Sequence, residues 1–520
     1  MGIATATGSL AAGESRTFYL APASTVTLVA PPNTRATVTE TPATVTASGV
    51  GGDAKTHKFD GMPRTVTYGP YAMGGTVVVA VLSNSGATVA WTETSAVFAP
   101  DGSGLVGPSG KIIVLRKPSQ TLKKCIMGKV KSVATSAADH TTRVMTVLEA
   151  PTERIRIGII NPVAAELVDV RVRITGTDTM LGLNTSLAGT LSGSSSTLSA
   201  KFNCAAGTDA VSPKITWSEW MSTAGLDRID GGTLPVYMIA VEIPGASNAN
   251  RPAWDNGGSA RSGWEDPANT SNRPWKQRTD AVLGATTNTL GTSTAYGEDG
   301  MPFIIEYMPR VGSLPLTLTC IGDSIIEGSG ATVRGHGFPY IARALVSTPT
   351  RPVEICNLAV GGATQTEMTS RLSAVIADIT PELILLAAFS PNGISAPTFA
   401  WASTARGKLR DVQTALQLIS TYDAVPLLFS GVPMLSQAGD SASGNKDLNA
   451  SGATDLARYM ALILDGQAPV VDCYTPMSGP ADADGQVTFK FGTTADGLHP
   501  NDTGHAIMAA PLAAALRSVA

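Results

Sequence analysis

Apolar and polar residues change their rhythm twice along this chain. Up to about residue 100, Thr and Val alternate in short runs such as Thr25-Val-Thr-Leu-Val-Ala and Thr76-Val-Val-Val-Ala-Val. That is the period of half-exposed β-strands. From about 113 to 312 the alternation runs longer: Arg154-Ile-Arg-Ile-Gly-Ile-Ile and Leu167-Val-Asp-Val-Arg-Val-Arg-Ile put an apolar side chain on nearly every second position. Such strands suit a sandwich with one wet face, and Val236-Tyr-Met-Ile-Ala-Val-Glu-Ile predicts another. After about 313 the pattern changes. Strand-length apolar runs (Leu316-Thr-Leu-Thr-Cys, Val353-Glu-Ile-Cys, Leu383-Ile-Leu-Leu-Ala, Val425-Pro-Leu-Leu-Phe, Pro469-Val-Val-Asp) alternate with helix-length segments at 366–379, 402–419, 454–464 and 503–519. This alternation predicts a five-stranded parallel sheet with helices on both faces, whose active site lies beyond the carboxyl ends of the strands.

The rhythm therefore divides the chain into a β-rich module at 1–100, a linker at 101–112, a β-sandwich-like domain at 113–312 and an α/β three-layer domain at 313–520. The first module carries a faint repeat. Arg16-Thr-Phe-Tyr-Leu-Ala-Pro, running on to Ala36-Thr-Val-Thr-Glu-Thr, echoes Arg64-Thr-Val-Thr-Tyr-Gly-Pro, running on to Ala87-Thr-Val-Ala-Trp-Thr-Glu-Thr. Two related β-units, or two halves of one small sandwich, would both explain it. Within the second domain, a Gly/Ser/Asn/Pro-rich segment at 244–301 carries Trp254, Trp264 and Trp275. These rings have the shape to stack on sugars, and they equally fit the anchoring of a long loop.

Composition narrows the function. Hydrophobic residues at 43% support several cores and exclude global disorder, while charged residues at 15% fall below the usual quarter. A net charge of −4 without a basic patch argues against nucleic acid as a partner. The five cysteines are scattered, with no C-x-x-C pair and no Cys/His cluster, so neither a zinc site nor a disulfide framework is expected. Cys320 and Cys356 are read as buried thiols at strand ends. The N-terminus, Met1-Gly-Ile-Ala-Thr-Ala-Thr, lacks the basic start and apolar run of a secretion signal. No stretch approaches the ~18 apolar residues that insert in a membrane.

Candidate chemistry gathers in the last domain. Gly322-Asp323-Ser324 follows an apolar strand, where a serine can project into the crevice. Asp496-Gly-Leu-His499-Pro500 precedes the closing helix. A hydroxyl needs a base, neutral imidazole suits that task near neutral pH, and an acid three residues away can hold the ring's tautomer. Of the five histidines, His499 alone joins a nearby acid to a post-strand loop; His336, in a Gly-rich loop, is read as a surface residue that could also face the cleft, and His505 as a packing or surface residue. Oxyanion donors are sought after the second and third strands, at Gly362 in Asn357-Leu-Ala-Val-Gly-Gly-Ala-Thr and at Asn392 in Ala388-Phe-Ser-Pro-Asn-Gly.

These four blocks, in this order and spacing, resemble the SGNH (GDSL-like) serine hydrolases over about residues 314–520. The resemblance implies that Ser324 is the nucleophile, His499 its base and Asp496 the acid. It also implies an oxyanion hole formed by the amides of Ser324 and Gly362 with the Asn392 side chain, and an acyl-enzyme route that requires no metal or organic cofactor. Two departures stand out. Ser390-Pro-Asn-Gly replaces the family's G-x-N-D, and Ala359 replaces its first glycine in the second block. With Thr/Gly/Val-rich β-modules ahead of the esterase domain, the whole chain is similar to phage tail fibres and tailspikes that strip O-acetyl groups from surface glycans. That likeness implies an acylated bacterial polysaccharide as partner, a place on the virion tail, attachment through the N-terminal region and a homotrimer. The other readings are a lipid or small-ester hydrolase with supporting β-domains, and a non-catalytic receptor-binding fibre.

Overall fold

The computed structural model describes the strand residues between 2 and 97, most of 121–254, 276–280, and 301–518 apart from 311–314, 332–336 and 465–467. Two compact units emerge, one holding Met1–Leu115 and the other Arg116–Ala461 with Val470–Arg517. The predicted linker at 101–112 lies outside the described residues.

In the first unit the repeat has a physical counterpart. One four-stranded antiparallel sheet runs Gly2–Leu10, Val89–Val97, Thr25–Ala30, Arg64–Tyr68; the other runs Ser15–Leu20, Gly75–Ser83, Arg35–Pro42, Lys55–Asp60. Each sheet takes two strands from each half of the module. Neither repeat completes a sheet from its own strands, which favours two halves of one structure over two independent units. Leu28 of the first sheet and Val38 of the second are fully covered.

In the second unit, the described residues of 122–309 form two large antiparallel sheets and a two-stranded one, Val130–Thr135 with Asn250–Trp254. The first is Leu122–Ile126, Phe303–Pro309, Thr152–Asn161 and Lys214–Trp217; the second is Leu191–Leu198, Leu167–Thr177, Val236–Ile243, His140–Val147 and Lys276–Asp280. The period-two pattern explains their common core. Ile155, Ile157, Ile159, Phe303 and Ile305 of one sheet share a buried cluster with Val170, Val172, Ile174, Ile239 and Val241 of the other. Each such side chain contributes about 1.5–3 kcal/mol by leaving water. Polar positions between them take another role. Lys123, Glu306 and Arg156 stand opposite one another on three adjacent strands, and Glu306 pairs with both cations. Burial works to raise the Glu306 pKa, but the two cations and the Thr121 hydroxyl hold it below the ordinary carboxylate range.

The C-terminal α/β domain has the expected parallel sheet, in the order Val353–Asn357, Leu316–Ile321, Leu383–Ala387, Val425–Phe429, Val470–Val471. The first three of these strands are buried along their whole length, as helices on both faces require. Four predicted helices appear at Gln365–Ile379, Arg406–Thr421, Ala450–Leu464 and Asp502–Ser518. The segment expected to be helical from 402 begins instead as a π-turn at Trp401–Ala405. A helix at Phe338–Val346, with Pro339 in its first turn, was not foreseen.

An open sheet has an edge that must be protected. Here Leu122–Ile126 packs along the edge strand Val353–Asn357. Polar bonds fasten the junction: the Lys123 amide donates to Thr317 Oγ1 at 2.9 Å, Trp217 Nε1 to the Asp378 carbonyl at 2.8 Å, and Tyr307 Oη to Glu354 Oε2 at 2.8 Å. Arg343, on the unforeseen helix, lies 3.4 Å from Glu354 and 3.3 Å from Glu149.

Candidate active site

The chain leaves strand Leu316–Ile321 toward one neighbour and later returns to the other side, so the carboxyl ends of the first and third strands flank a crevice. Gly322-Asp323-Ser324 turns there. A Cβ at Gly322 would stand 2.5 Å from Ile326 Cδ1, so any larger residue there would displace the Ile326 side chain. Asp323 caps the single helical turn Ser324–Glu327, its carboxylate accepting the Ile325 amide at 3.0 Å. Burial pushes its pKa up, while the nearby Ser390 hydroxyl, the Ile325 amide and the proximity of His499 and Lys408 act against that rise. It orders the turn, as a cap does.

Ser324 Oγ lies 2.9 Å from His499 Nε2, and His499 Nδ1 lies 2.7 Å from Asp496 Oδ2. Both partners come from one tight loop. Asp496 Oδ1 accepts the amides of Leu498 (2.9 Å) and His499 (2.7 Å), and Ala495 donates to the His499 carbonyl at 2.8 Å. Gly497 has φ 88°, and a Cβ there would strike Asn445 Oδ1, so the loop requires this glycine. Burial works to raise the Asp496 pKa. The hydrogen bonds from His499 and Leu498 more than offset it, and the carboxylate stays below its ordinary range. An ionised acceptor at Nδ1 assigns the ring proton to that nitrogen and leaves the Nε2 lone pair to the serine hydroxyl.

The segment after the second strand is tied to the nucleophile turn: Leu358 donates to the Cys320 carbonyl at 2.9 Å and Val360 to that of Gly322 at 3.0 Å. Gly362 follows, with φ 84° and open space where a side chain would be. Among the described residues, no acceptor pairs with the amide of Ser324 or of Gly362. The third block joins the second at one carbonyl. Ser390 Oγ and Asn392 Nδ2 both donate to Ala363 O at 3.1 Å, leaving the second hydrogen of the Asn392 amide free for another acceptor.

The structure thus brings together Ser324, His499 and Asp496, ties the loop of Gly362 to the nucleophile turn through Val360, and joins the loop of Asn392 to that of Gly362 at the Ala363 carbonyl. His336, Trp264 and Trp275 lie outside the described residues. Of Trp254 only the backbone is described, paired with Val130. His505 is fully buried, its Nε2 3.0 Å from the Ser329 carbonyl and its Nδ1 accepting the Phe338 amide. Sequence reasoning named Ser390 only as a departure in the third block and did not single out Lys408, whose Nζ reaches the Ser390 and Asn392 carbonyls at 2.9 and 3.0 Å. Ser390 had a signal, its place in the third block. Lys408 had none, because a lysine on an amphipathic helix reads as a solvent-facing residue.

Fold and site together define an α/β domain with a serine–histidine–aspartate constellation at a topological switch point of its parallel sheet. Residues 320–507 match the model of the GDSL-like Lipase/Acylhydrolase family, which marks this stretch as a GDSL-like (SGNH) domain. Among solved structures, it is similar to a GDSL-like lipase from Bacteroides thetaiotaomicron (16% identity, 39% of this chain and 87% of that one, TM-score 0.28). It is also similar to an acetyl xylan esterase (18%, 39% and 100%, 0.29) and to the acetylxylan esterase Axe2 of Geobacillus stearothermophilus (17%, 40% and 95%, 0.28). No curated protein matches the chain.

Proposed function

We propose that this protein is a serine esterase that removes O-acetyl or other short acyl groups from a bacterial surface polysaccharide, with Ser324 as nucleophile. The observation that carries the esterase reading is the continuous chain from Ser324 Oγ through His499 to Asp496, at 2.9 and 2.7 Å. Ser324 Oγ attacks the ester carbonyl as His499 Nε2 takes its proton, and Asp496 stabilises the imidazolium. The amides of Ser324 and Gly362 and the Asn392 side chain hold the oxyanion. Collapse expels the sugar hydroxyl with the proton from His499, and water repeats the sequence on the acyl-enzyme.

The choice of a polysaccharide rests on the architecture of the chain, in which extensive β-modules precede a small esterase domain. A place on a phage tail, as a trimer attached through the N-terminal region, belongs to the same reading. The test is acetate release from O-acetylated bacterial polysaccharides by wild type and by Ser324→Ala. Release should fall by about 10⁴–10⁶-fold in the variant. Cleavage of short aryl esters without acetate release would keep the esterase and sink the glycan substrate. Long-chain esters as the better substrates would favour a lipid hydrolase, and equal activity in both proteins would overturn Ser324.

A further inference from the structure

Lys408 lies on helix Arg406–Thr421 and keeps only 7% of its surface exposed. Lysines on surface helices ordinarily lay their stems along the protein and carry the ammonium out to water. Here the ammonium turns inward and spends two of its three hydrogens on the carbonyls of Ser390 and Asn392, at 2.9 and 3.0 Å. The Phe389 ring is 5.9 Å away. Two carboxylates act on it, that of Asp323 in the nucleophile turn and that of Asp411 on its own helix; burial nonetheless lowers its pKa to about 8. A cation is held at such a cost only where its bonds are needed. Those bonds fall on the loop that carries Asn392.

We propose that Lys408 is a positioning residue, which fixes the Asn392 side chain for the oxyanion by clamping the backbone on which it stands. This rests on the esterase reading above. Lys408 touches no reacting atom. It acts through Asn392, whose side-chain amide must meet the developing charge within a few tenths of an ångström.

The test uses the full chain and p-nitrophenyl acetate, with Lys408→Met, Lys408→Arg, Asn392→Ala and the double variant Lys408→Met/Asn392→Ala. Lys408→Met should lower kcat about 10–100-fold with KM within about threefold of wild type, and Lys408→Arg, with donors of its own, should recover most of the loss. In the Asn392→Ala background the same change should cost almost nothing, because the group it positions is gone. An undiminished kcat in Lys408→Met, or an equal cost in both backgrounds, would overturn the proposal. Should Lys408→Met fail to fold, Lys408→Gln, which keeps a single donor arm, takes its place in the same cycle. Hydrogen exchange supplies a readout independent of turnover: amides of 392–394 should exchange faster in Lys408→Met while those of 495–499 do not change. If wild type and Ser324→Ala prove equally inactive, the esterase reading fails by itself, and unchanged exchange at 392–394 would then sink the clamp.

Discussion

The mouth of the catalytic sheet and its sandwich-covered edge are built from similar side chains put to opposite ends. At the mouth, Ser324, His499 and Asp496 form a chain in which the His and Asp side chains keep 23% and 28% of their surface. Two amides there, Ser324 and Gly362, have no acceptor among the described residues. At the edge, Glu354 is fully buried and accepts from Tyr307 Oη at 2.8 Å, from Arg343 at 3.4 Å and from the Ile355 amide at 3.2 Å. Tyr307 Oη in turn accepts the Glu149 amide at 3.1 Å. The edge saturates its polar groups, whereas the mouth holds some in reserve. Residue type therefore does not separate chemistry from structure; unspent hydrogen-bonding capacity on a rigid frame does.

Three substitutions or conditions probe that contrast. The largest effect is expected from Asp496→Asn, which should cut kcat about 10⁴-fold by favouring the wrong histidine tautomer, with little change in thermal midpoint. A folded variant with wild-type turnover would remove Asp496 from the chemistry. Next, Arg343→Met strands a buried carboxylate at the edge and should cost about 3–5 kcal/mol of stability in denaturant titration. Turnover per folded molecule should not change, and a parallel fall in kcat at full folding would show that edge and mouth are coupled. The smallest effect is in pH dependence. The Asp496 pKa is depressed in the folded state, so its stabilisation is complete above the unfolded value of about 3.9 and is lost as pH falls through the folded value. Wild type should therefore lose more stability than Asp496→Asn between pH 5 and about pH 2, and identical profiles would refute the assignment.

What the sequence disclosed follows the same line. The five strands were legible because buried parallel strands are apolar throughout, and the triad because Asp496 and His499 share one loop with a post-strand setting. Gly362 and Asn392 were singled out only as members of an ordered set of blocks. The edge was not. Glu354 stood inside an ordinary strand, and its partners Tyr307, Arg343 and Glu149 lie far from it in the chain or on a helix hidden behind a glycine-rich stretch. Lys408 was invisible for a related reason, since which way a lysine turns is decided by the loop it finds. The repeat at 16–41 and 64–94 was visible, but exchange of strands between its halves depends on pairing that no local pattern encodes.

That exchange has a consequence for how the N-terminal module comes into being. Gly2 pairs with Val97 and Leu10 with Val89, so the first strand cannot find its partner until nearly the whole module has been synthesised. Ser15–Leu20 likewise waits for Gly75–Ala80. Closing such distant ends costs chain entropy before any ladder repays it. None of the four main strands before residue 43 pairs with another of them, so at that point of synthesis each still awaits a partner from the second half.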